Sequence, residues 1–272
     1  MMDDLELAIR AAREAGAILL SFYHSEYEIK EKGIDNPLTE ADEASDRYLK
    51  SVLRSARPDY GWLSEETVDQ PERRAAARVW IVDPLDGTKE FIQGVPEFAV
   101  SIALAEDESA KLGVIYNPVS DEMYAGIVGQ GATLNGNAIH TSDRIPLLGA
   151  TLLASRSEMK RGEFSRFEAD FTIAAVGSIA YKLARVAEGK GDATFSLGPK
   201  HEWDVGAGAA LIEAAGGRVT ARDGAPLRFN QDSTLCNGIL AANAHLHEPL
   251  VARCRPLLHE FAHRFTERRA PK

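Results

Sequence analysis

The sequence predicts a layered chain of mixed class: α+β over residues 1–145 and α/β over residues 146–272, the two subdomains packed tightly as one unit. Three observations carry this. Residues 98–105, 112–116 and 122–127 are apolar, β-prone runs that read as an antiparallel meander. Beyond residue 146, short apolar strands alternate with helical periodicity. No repeat, low-complexity segment or flexible linker separates the halves. A length of 272 residues suits two fused subdomains better than one simple core.

Each element follows from local pattern. Leu5, Ile9, Ala12, Ala15, Leu19 and Phe22 recur at helical spacing and mark an amphipathic first helix. A second helix spans about 40–55, beginning near Thr39, with Leu49, Val52 and Leu53 buried. Thr39 and Asp42 suit a capping arrangement there, and acids in a first turn suit the helix dipole. Residues 60–63 form a short strand-like run that ends in Ser64, Glu65 and Glu66. Residues 79–82 are apolar and suit a central strand, which should end at Pro84 because proline cannot donate to a ladder. Gly87 and Thr88 can open a helix. After the meander, Asn135 and Gly136 are a strong hairpin turn. The alternation then runs through 164–167, 173–176, 180–187, 193–197, 205–215, 218–221 and 239–242, closed by a final helix over about 249–267.

Composition excludes several function classes. A net charge of −10 disfavours a nucleic-acid polymer as partner. No apolar run approaches membrane length, so no membrane partner is expected. Cys236 and Cys254 sit in no paired motif, which points to a reducing compartment. The start carries Asp3, Asp4 and Glu6 rather than a basic leader, and the expected location is cytoplasmic.

The chemistry concentrates in the run from Trp80 to Phe91. Asp83 and Asp86 leave a strand end three residues apart, and carboxylates bind hard divalent cations. The free N–H groups of a helix opening at Gly87 and Thr88 bind phosphate, which places a metal site and a phosphate site side by side. Glu65, Asp42 and Asp204 could complete the acidic set. Taken singly, each has a plainer reading, as a helix-capping acid or a solvated surface charge. Two other patterns carry no function. His259-Glu260-Phe261-Ala262-His263 spells a zinc-protease signature, but no His, Asp or Cys follows to supply a third ligand. Gly206-Ala207-Gly208 lacks the third glycine of a dinucleotide fingerprint and no buried strand precedes it, so its small residues read as close helix packing.

Trp80-Ile81-Val82-Asp83-Pro84-Leu85-Asp86-Gly87-Thr88, preceded by Ser64-Glu65-Glu66 and followed by Trp203-Asp204, resembles the inositol monophosphatase superfamily, and the resemblance covers residues 32–243. It implies an α-β-α-β-α sandwich and a magnesium-dependent, often lithium-sensitive phosphomonoesterase working by direct water attack. It implies that Glu65, Asp83 and the Leu85 carbonyl hold one metal, and that Asp83, Asp86 and Asp204 hold a second. Two or three Mg²⁺ ions are implied, with Mn²⁺ as a substitute. Such cations neutralise the ester dianion and activate water near neutral pH. Thr88 with Asp42 would orient and deprotonate that water, and Glu65 belongs to the same catalytic set. Asp86, Gly87 and Thr88 would border the phosphate, while Gly177 and Ser178 border the leaving group.

The leading substrate is 3′-phosphoadenosine 5′-phosphate. Thr88-Lys89-Glu90-Phe91, Ala154-Ser155-Arg156-Ser157 and the Gly198-Pro199 turn resemble the 3′(2′),5′-bisphosphate nucleotidase branch. Lys182 and Lys200 would then meet the second phosphate, or else both are simply solvated. The alternative is inositol monophosphate or another sugar or polyol monophosphate. Glu158 stands where the nucleotidases often have His, and Ser196 where they often have Arg. The Glu that holds ring hydroxyls in the inositol enzymes falls near Ser196 or Leu197. A homodimer is allowed by the resemblance. A non-catalytic binding homologue is the remaining alternative, but such proteins lose a metal acid or the threonine, and here all are present.

Overall fold

Small and apolar residues bury one side of the first helix. α1 (Met2–Phe22) buries Leu7, Ala8, Ala11, Ala12, Ala15 and Leu19. That face is rotated from the expected one, since Leu5, Ile9 and Phe22 pack only at its margin. The structure, a computed structural model, describes residues 1–33 and 36–258. A hairpin of β1 (Ile29–Gly33) and β2 (Asn36–Thr39) leads into α2 (Glu40–Ala56). α2 buries Leu49 and Leu53, each worth about 1.5–3 kcal/mol of transfer free energy, and Val52 is half-buried.

Seven strands form the first sheet in chain order: β3 (Gly61–Ser64), β4 (Arg78–Asp86), β5 (Ala99–Glu106), β6 (Ser109–Asn117), β7 (Glu122–Ile127), β8 (Gly131–Leu134) and β9 (Asn137–Ile139). α3 (Thr88–Ile92) follows β4. β3 runs parallel to β4 and every later neighbour is antiparallel, as the meander pattern predicts. Asn135 and Gly136 turn the last hairpin with φ of 49° and 81°, the left-handed pair that a two-residue turn requires.

Pro84 does not end its strand. β4 continues to Asp86 across a bulge: Asp83 pairs with Ser101, Asp86 with Ala99, and Pro84 and Leu85 stand outside the ladder. The bulge removes the need for a proline donor. The Ser45 hydroxyl donates to the Pro84 carbonyl at 3.0 Å and fixes the bulge against α2.

The second half contains β10 (Ala150–Ala154), α4 (Arg156–Lys160), β11 (Phe171–Ala175), α5 (Ile179–Ala187), β12 (Ala193–Ser196), β13 (Lys200–His201), α6 (Glu202–Ala214), β14 (Arg218–Thr220), β15 (Leu235–Cys236), β16 (Ile239–Ala242) and α7 (His247–Cys254). Its main sheet has the order β11-β10-β12-β16-β14, parallel on the β11 side and antiparallel around β16. β10 and α4 are absent from the sequence reading, and residues 164–167 hold only a 3₁₀ turn, Ser165–Phe167. The final helix starts at His247 and gives way at Cys254 to a 3₁₀ turn, Arg255–Leu257, which contains Pro256. The rest of its expected span lies outside the described residues, as does the His259–His263 pattern.

The layers alternate. α1 and α2 cover one face of the seven-stranded sheet, burying Trp80, Val82, Ile102 and Val114. α5 and α6 pack on its other face, and the five-stranded sheet closes over them through Ile239 and Ala241. α7 and the Phe164–Phe167–Phe195 cluster cover the outer face of that second sheet. The result is the expected α-β-α-β-α sandwich. α6 buries every residue from Val205 to Ile212, as a helix between two sheets must. Glycine allows the approach: a Cβ at Gly113 would lie 2.2 Å from the Ala207 carbonyl oxygen, and one at Gly208 would lie 2.4 Å from the Leu183 side chain. Among the described residues, no helix is long and apolar enough to cross a membrane.

Candidate active site

Element ends build the site. Glu65 follows the last residue of β3, and its N–H donates to the Val82 carbonyl beside the parallel strand at 3.2 Å. Asp83 and Asp86 flank the β4 bulge. Gly87, at φ 98°, is the N-cap of α3, and Thr88 is its first residue. A left-handed turn here favours glycine. Asp42 lies in the first turn of α2 and Asp204 in the first turn of α6. Ser178 caps α5, and Lys182 lies one turn further along it. These ends converge on a pocket of about 310 Å³ whose wall includes Glu65, Asp83, Leu85, Asp86, Gly87 and Thr88, with Ser178, Lys182, Lys200 and Asp204 also lining it.

The carboxylates converge unequally. Oxygens of Glu65, Asp83 and Asp204 all lie within 4.8 Å of one another. Asp86 turns instead toward α5, where Ser178 Oγ donates to its Oδ2 in a short contact and the Ala180 N–H donates at 2.6 Å. Asp83 Oδ1 accepts the Leu85 N–H at 3.0 Å, which holds the bulge in shape. Burial and mutual repulsion push these acids up. Asp83 rises well above its usual range through burial, then Glu65, Asp86 and Asp204. Burial raises Asp204 to about 8, with Asp86 and Glu65 adding to it. Burial raises Asp86 to about 6 against its bonds from Ser178 and Ala180. A set of converging hard oxygen donors, Asp83 buried and Glu65 and Asp204 partly so, whose like charges repel is what a divalent cation relieves, so the residues fit Mg²⁺ or Mn²⁺.

Behind this cluster, Asp42 does two jobs. The plain reading holds, because Thr39 and Asp42 form a reciprocal capping box on α2. Asp42 Oδ1 also accepts from Thr88 Oγ1 at 3.0 Å, although Asp42 does not itself line the pocket. Burial pushes Asp42 up to about 6. Asp204 likewise doubles as a cap, accepting the His201 N–H at 2.8 Å.

Gly177 and Ser178 are held in place from two sides. The Gly177 N–H donates to Glu97 at 2.6 Å, and a Cβ at Gly177 would lie 2.4 Å from Glu90. Ser178 has φ 54°, a conformation non-glycine residues rarely adopt, and its Oγ accepts the Tyr181 N–H at 2.9 Å. Lys182 is 3% exposed, so it is not a solvated lysine. Its Nζ donates to the Ser178 carbonyl at 3.1 Å. Lys200 is partly buried and lies 3.3 Å from Glu158.

Two site residues escaped the sequence reading as participants. Lys32 Nζ contacts Glu65 at 2.8 Å and Glu66 at 2.5 Å, which ties the β1–β2 hairpin to the acidic cluster. Nothing local in the sequence signals it. Glu158 is buried at the pocket wall, where it accepts from Ser196 Oγ at 2.6 Å. The signal was a lone acid in a pattern that elsewhere has a base.

Comparison with known proteins agrees with this geometry. A sequence model of the inositol monophosphatase family matches residues 2–258. The inositol-1-monophosphatase of Mesorhizobium japonicum is 33% identical over 262 residues, covering 92% of this chain and 98% of the relative. The Nus factor SuhB of Haemophilus influenzae is 33% identical over 271 residues, covering 95% of this chain and 98% of the relative. Among solved structures, the IMPase of Thermotoga maritima superposes with a TM-score of 0.85 at 27% identity, covering 95% of this chain and 99% of that one. CysQ from Bacteroides thetaiotaomicron superposes with a TM-score of 0.74 at 30% identity, covering 89% and 97%.

Proposed function

Because the chain belongs to the inositol monophosphatase family, we propose that it is a Mg²⁺-dependent phosphomonoesterase that hydrolyses a small phosphorylated metabolite by direct attack of water. The observation that carries this is the meeting of the Glu65–Asp83–Asp204 oxygens with Thr88 in one pocket, with Asp42 behind Thr88 at 3.0 Å.

Glu65, Asp83 and Asp204 would hold the metal, with Asp86 and the Leu85 carbonyl beside them. Bound there, divalent cations supply charge neutralisation of the ester and of its leaving oxygen. The residues supply the rest. First-turn N–H groups at Gly87 and Thr88 have no helical acceptor and orient the phosphate. Thr88 Oγ1 positions the attacking water, and its own proton passes to Asp42 Oδ1 as it takes one from the water. A carboxylate near 6 is ionised at neutral pH yet basic enough to accept that proton. The acids and Thr88 are all present, which opposes a purely binding role.

For the leaving group, the geometry supports a neutral polyol, inositol monophosphate among them, over 3′-phosphoadenosine 5′-phosphate. The cations that a second phosphate would need already face acids: Lys200 faces Glu158, and Lys182 feels both Glu158 and Asp86. The test is phosphate release from a panel of phosphomonoesters, with Mg²⁺ and with excess chelator. Release from a polyol monophosphate that needs Mg²⁺ is expected. Turnover that survives chelation, or no turnover of any ester, would overturn the proposal.

A further inference from the structure

We propose that Glu158 sets the leaving-group charge that the pocket accepts, excluding esters that carry a second phosphate. This rests on the phosphomonoesterase reading and concerns the wall built from α4, α5 and β13.

Glu158 lines the pocket and is 3% exposed. A carboxylate so placed must be paired to remain ionised. Its Oε1 accepts from Ser196 Oγ at 2.6 Å and lies 3.3 Å from Lys200 Nζ. Lys182 is buried close enough to interact with both Glu158 and Asp86, and its Nζ donates to the Ser178 carbonyl at 3.1 Å. Lys200 therefore already has a carboxylate at ion-pair distance, and Lys182 lies in the field of two. A second phosphate arriving here would meet the Glu158 charge, one ion-paired cation in Lys200, and in Lys182 a cation already bonded to the Ser178 carbonyl. A neutral hydroxyl would meet an acceptor and donors together. The selection is by repulsion of the wrong group as much as by attraction of the right one.

Glu158→Gln keeps the side-chain length and an acceptor for Ser196 while removing the charge. Lys182 and Lys200 then become available to a second phosphate. Inositol 1-phosphate and inositol 1,4-bisphosphate share a ring and differ by one phosphate, so the ratio of their kcat/KM values isolates the effect. The ratio of bisphosphate to monophosphate should rise about 10-fold or more in Glu158→Gln, mainly through KM, as expected for one charged hydrogen bond gained. An unchanged ratio overturns the proposal. Removing the Glu158 charge could unfold the variant, so Ser157→Lys provides a second arm: Ser157 is exposed on the same wall, and a lysine there adds a cation that offsets the Glu158 charge. It should raise the ratio in the same direction, and no rise would also count against the proposal. Wild-type protein that turns over neither of these nor any other phosphomonoester would overturn the phosphomonoesterase reading instead. The ratio of the two affinities, measured calorimetrically with Mg²⁺ for the wild type and both variants, then decides the role of Glu158 separately.

Discussion

The Thr88 hydroxyl lies 3.0 Å from the Asp42 carboxylate, although 46 residues separate them in the chain. One residue opens α3 at the pocket wall, and the other lies in the first turn of α2 behind it. Ser45 of α2 holds the β4 bulge through the Pro84 carbonyl, and Gly87 and Thr88 follow that bulge directly. Asp42 has no route to the pocket except through neighbours such as Thr88.

The two should therefore act as a unit. Thr88→Ala and Asp42→Asn should each lower kcat by roughly 10²–10⁴-fold, the range for loss of a general base. The double variant should lose little more than the worse single one, because groups sharing one proton are non-additive. Steady-state kinetics of all three variants check this. Losses that multiply would separate the two roles.

Asp83 sits at the centre of the acidic cluster, and its replacement should divide stability from activity. Asp83→Asn keeps the oxygen that accepts the Leu85 N–H but removes a buried charge that Glu65, Asp86 and Asp204 oppose. Turnover should be the most damaged of any single acid variant. The metal-free protein should meanwhile gain in Tm, by about 2–4 °C for each kcal/mol relieved. Calorimetry in chelator and activity in Mg²⁺ give the two readouts. A variant with near-normal turnover would show that Asp83 is not central to the site.

Gly113 should be intolerant for a purely steric reason. A Cβ there would press on the Ala207 backbone at 2.2 Å and push α6 off the sheet. Gly113→Ala should destabilise by about 1–3 kcal/mol, as overpacking does. Because α6 carries Asp204, activity at saturating substrate should fall as well, with partial recovery at high Mg²⁺. A denaturant midpoint equal to the wild type would show that the helix can shift freely.

The fold was legible where chemistry is local. The meander announced itself through apolar runs and the Asn135–Gly136 turn, and the small residues at Gly206 and Gly208 through their fit for close packing. Pro84 misled, because the missing donor was read as a strand end while a bulge satisfied it equally well. Asp42 and Asp204 read equally well as caps or as functional acids, and each is a cap: Asp204 also lines the pocket, and Asp42 bonds Thr88, which does. Lys182 could not be placed from sequence, since lysines are mostly exposed and the acid that favours its buried charge, Glu158, comes from another helix. Lys32 and Glu65, 33 residues apart, meet only through tertiary packing.

The same acids predict how the metal-free protein responds to pH. Asp204, raised by burial and by Asp86 and Glu65 to about 8, holds a proton in the folded state that the unfolded chain releases near its ordinary value of 3.8. The folded state therefore binds more protons between these values. Stability is fully present below about pH 4 and falls as pH climbs through 8, by about 1.4 kcal/mol per unit for each proton held. Two imidazoles oppose this at lower pH: burial depresses His201 and His247 below their usual 6.5, which raises stability as pH rises toward that value. From pH 6.5 to 8 the imidazoles no longer contribute, and Asp204 shares the downward slope with Asp83 and with Glu66, which burial raises to about 7. In chelator, Tm should fall across it, and Asp204→Asn should flatten the slope. Cation binding must displace the retained protons, so the Tm gain on adding Mg²⁺ should grow with pH over the same window. A metal-free Tm that rises from pH 6.5 to 8, or a Mg²⁺ gain that shrinks, would mean that Asp204 is already ionised before any cation arrives.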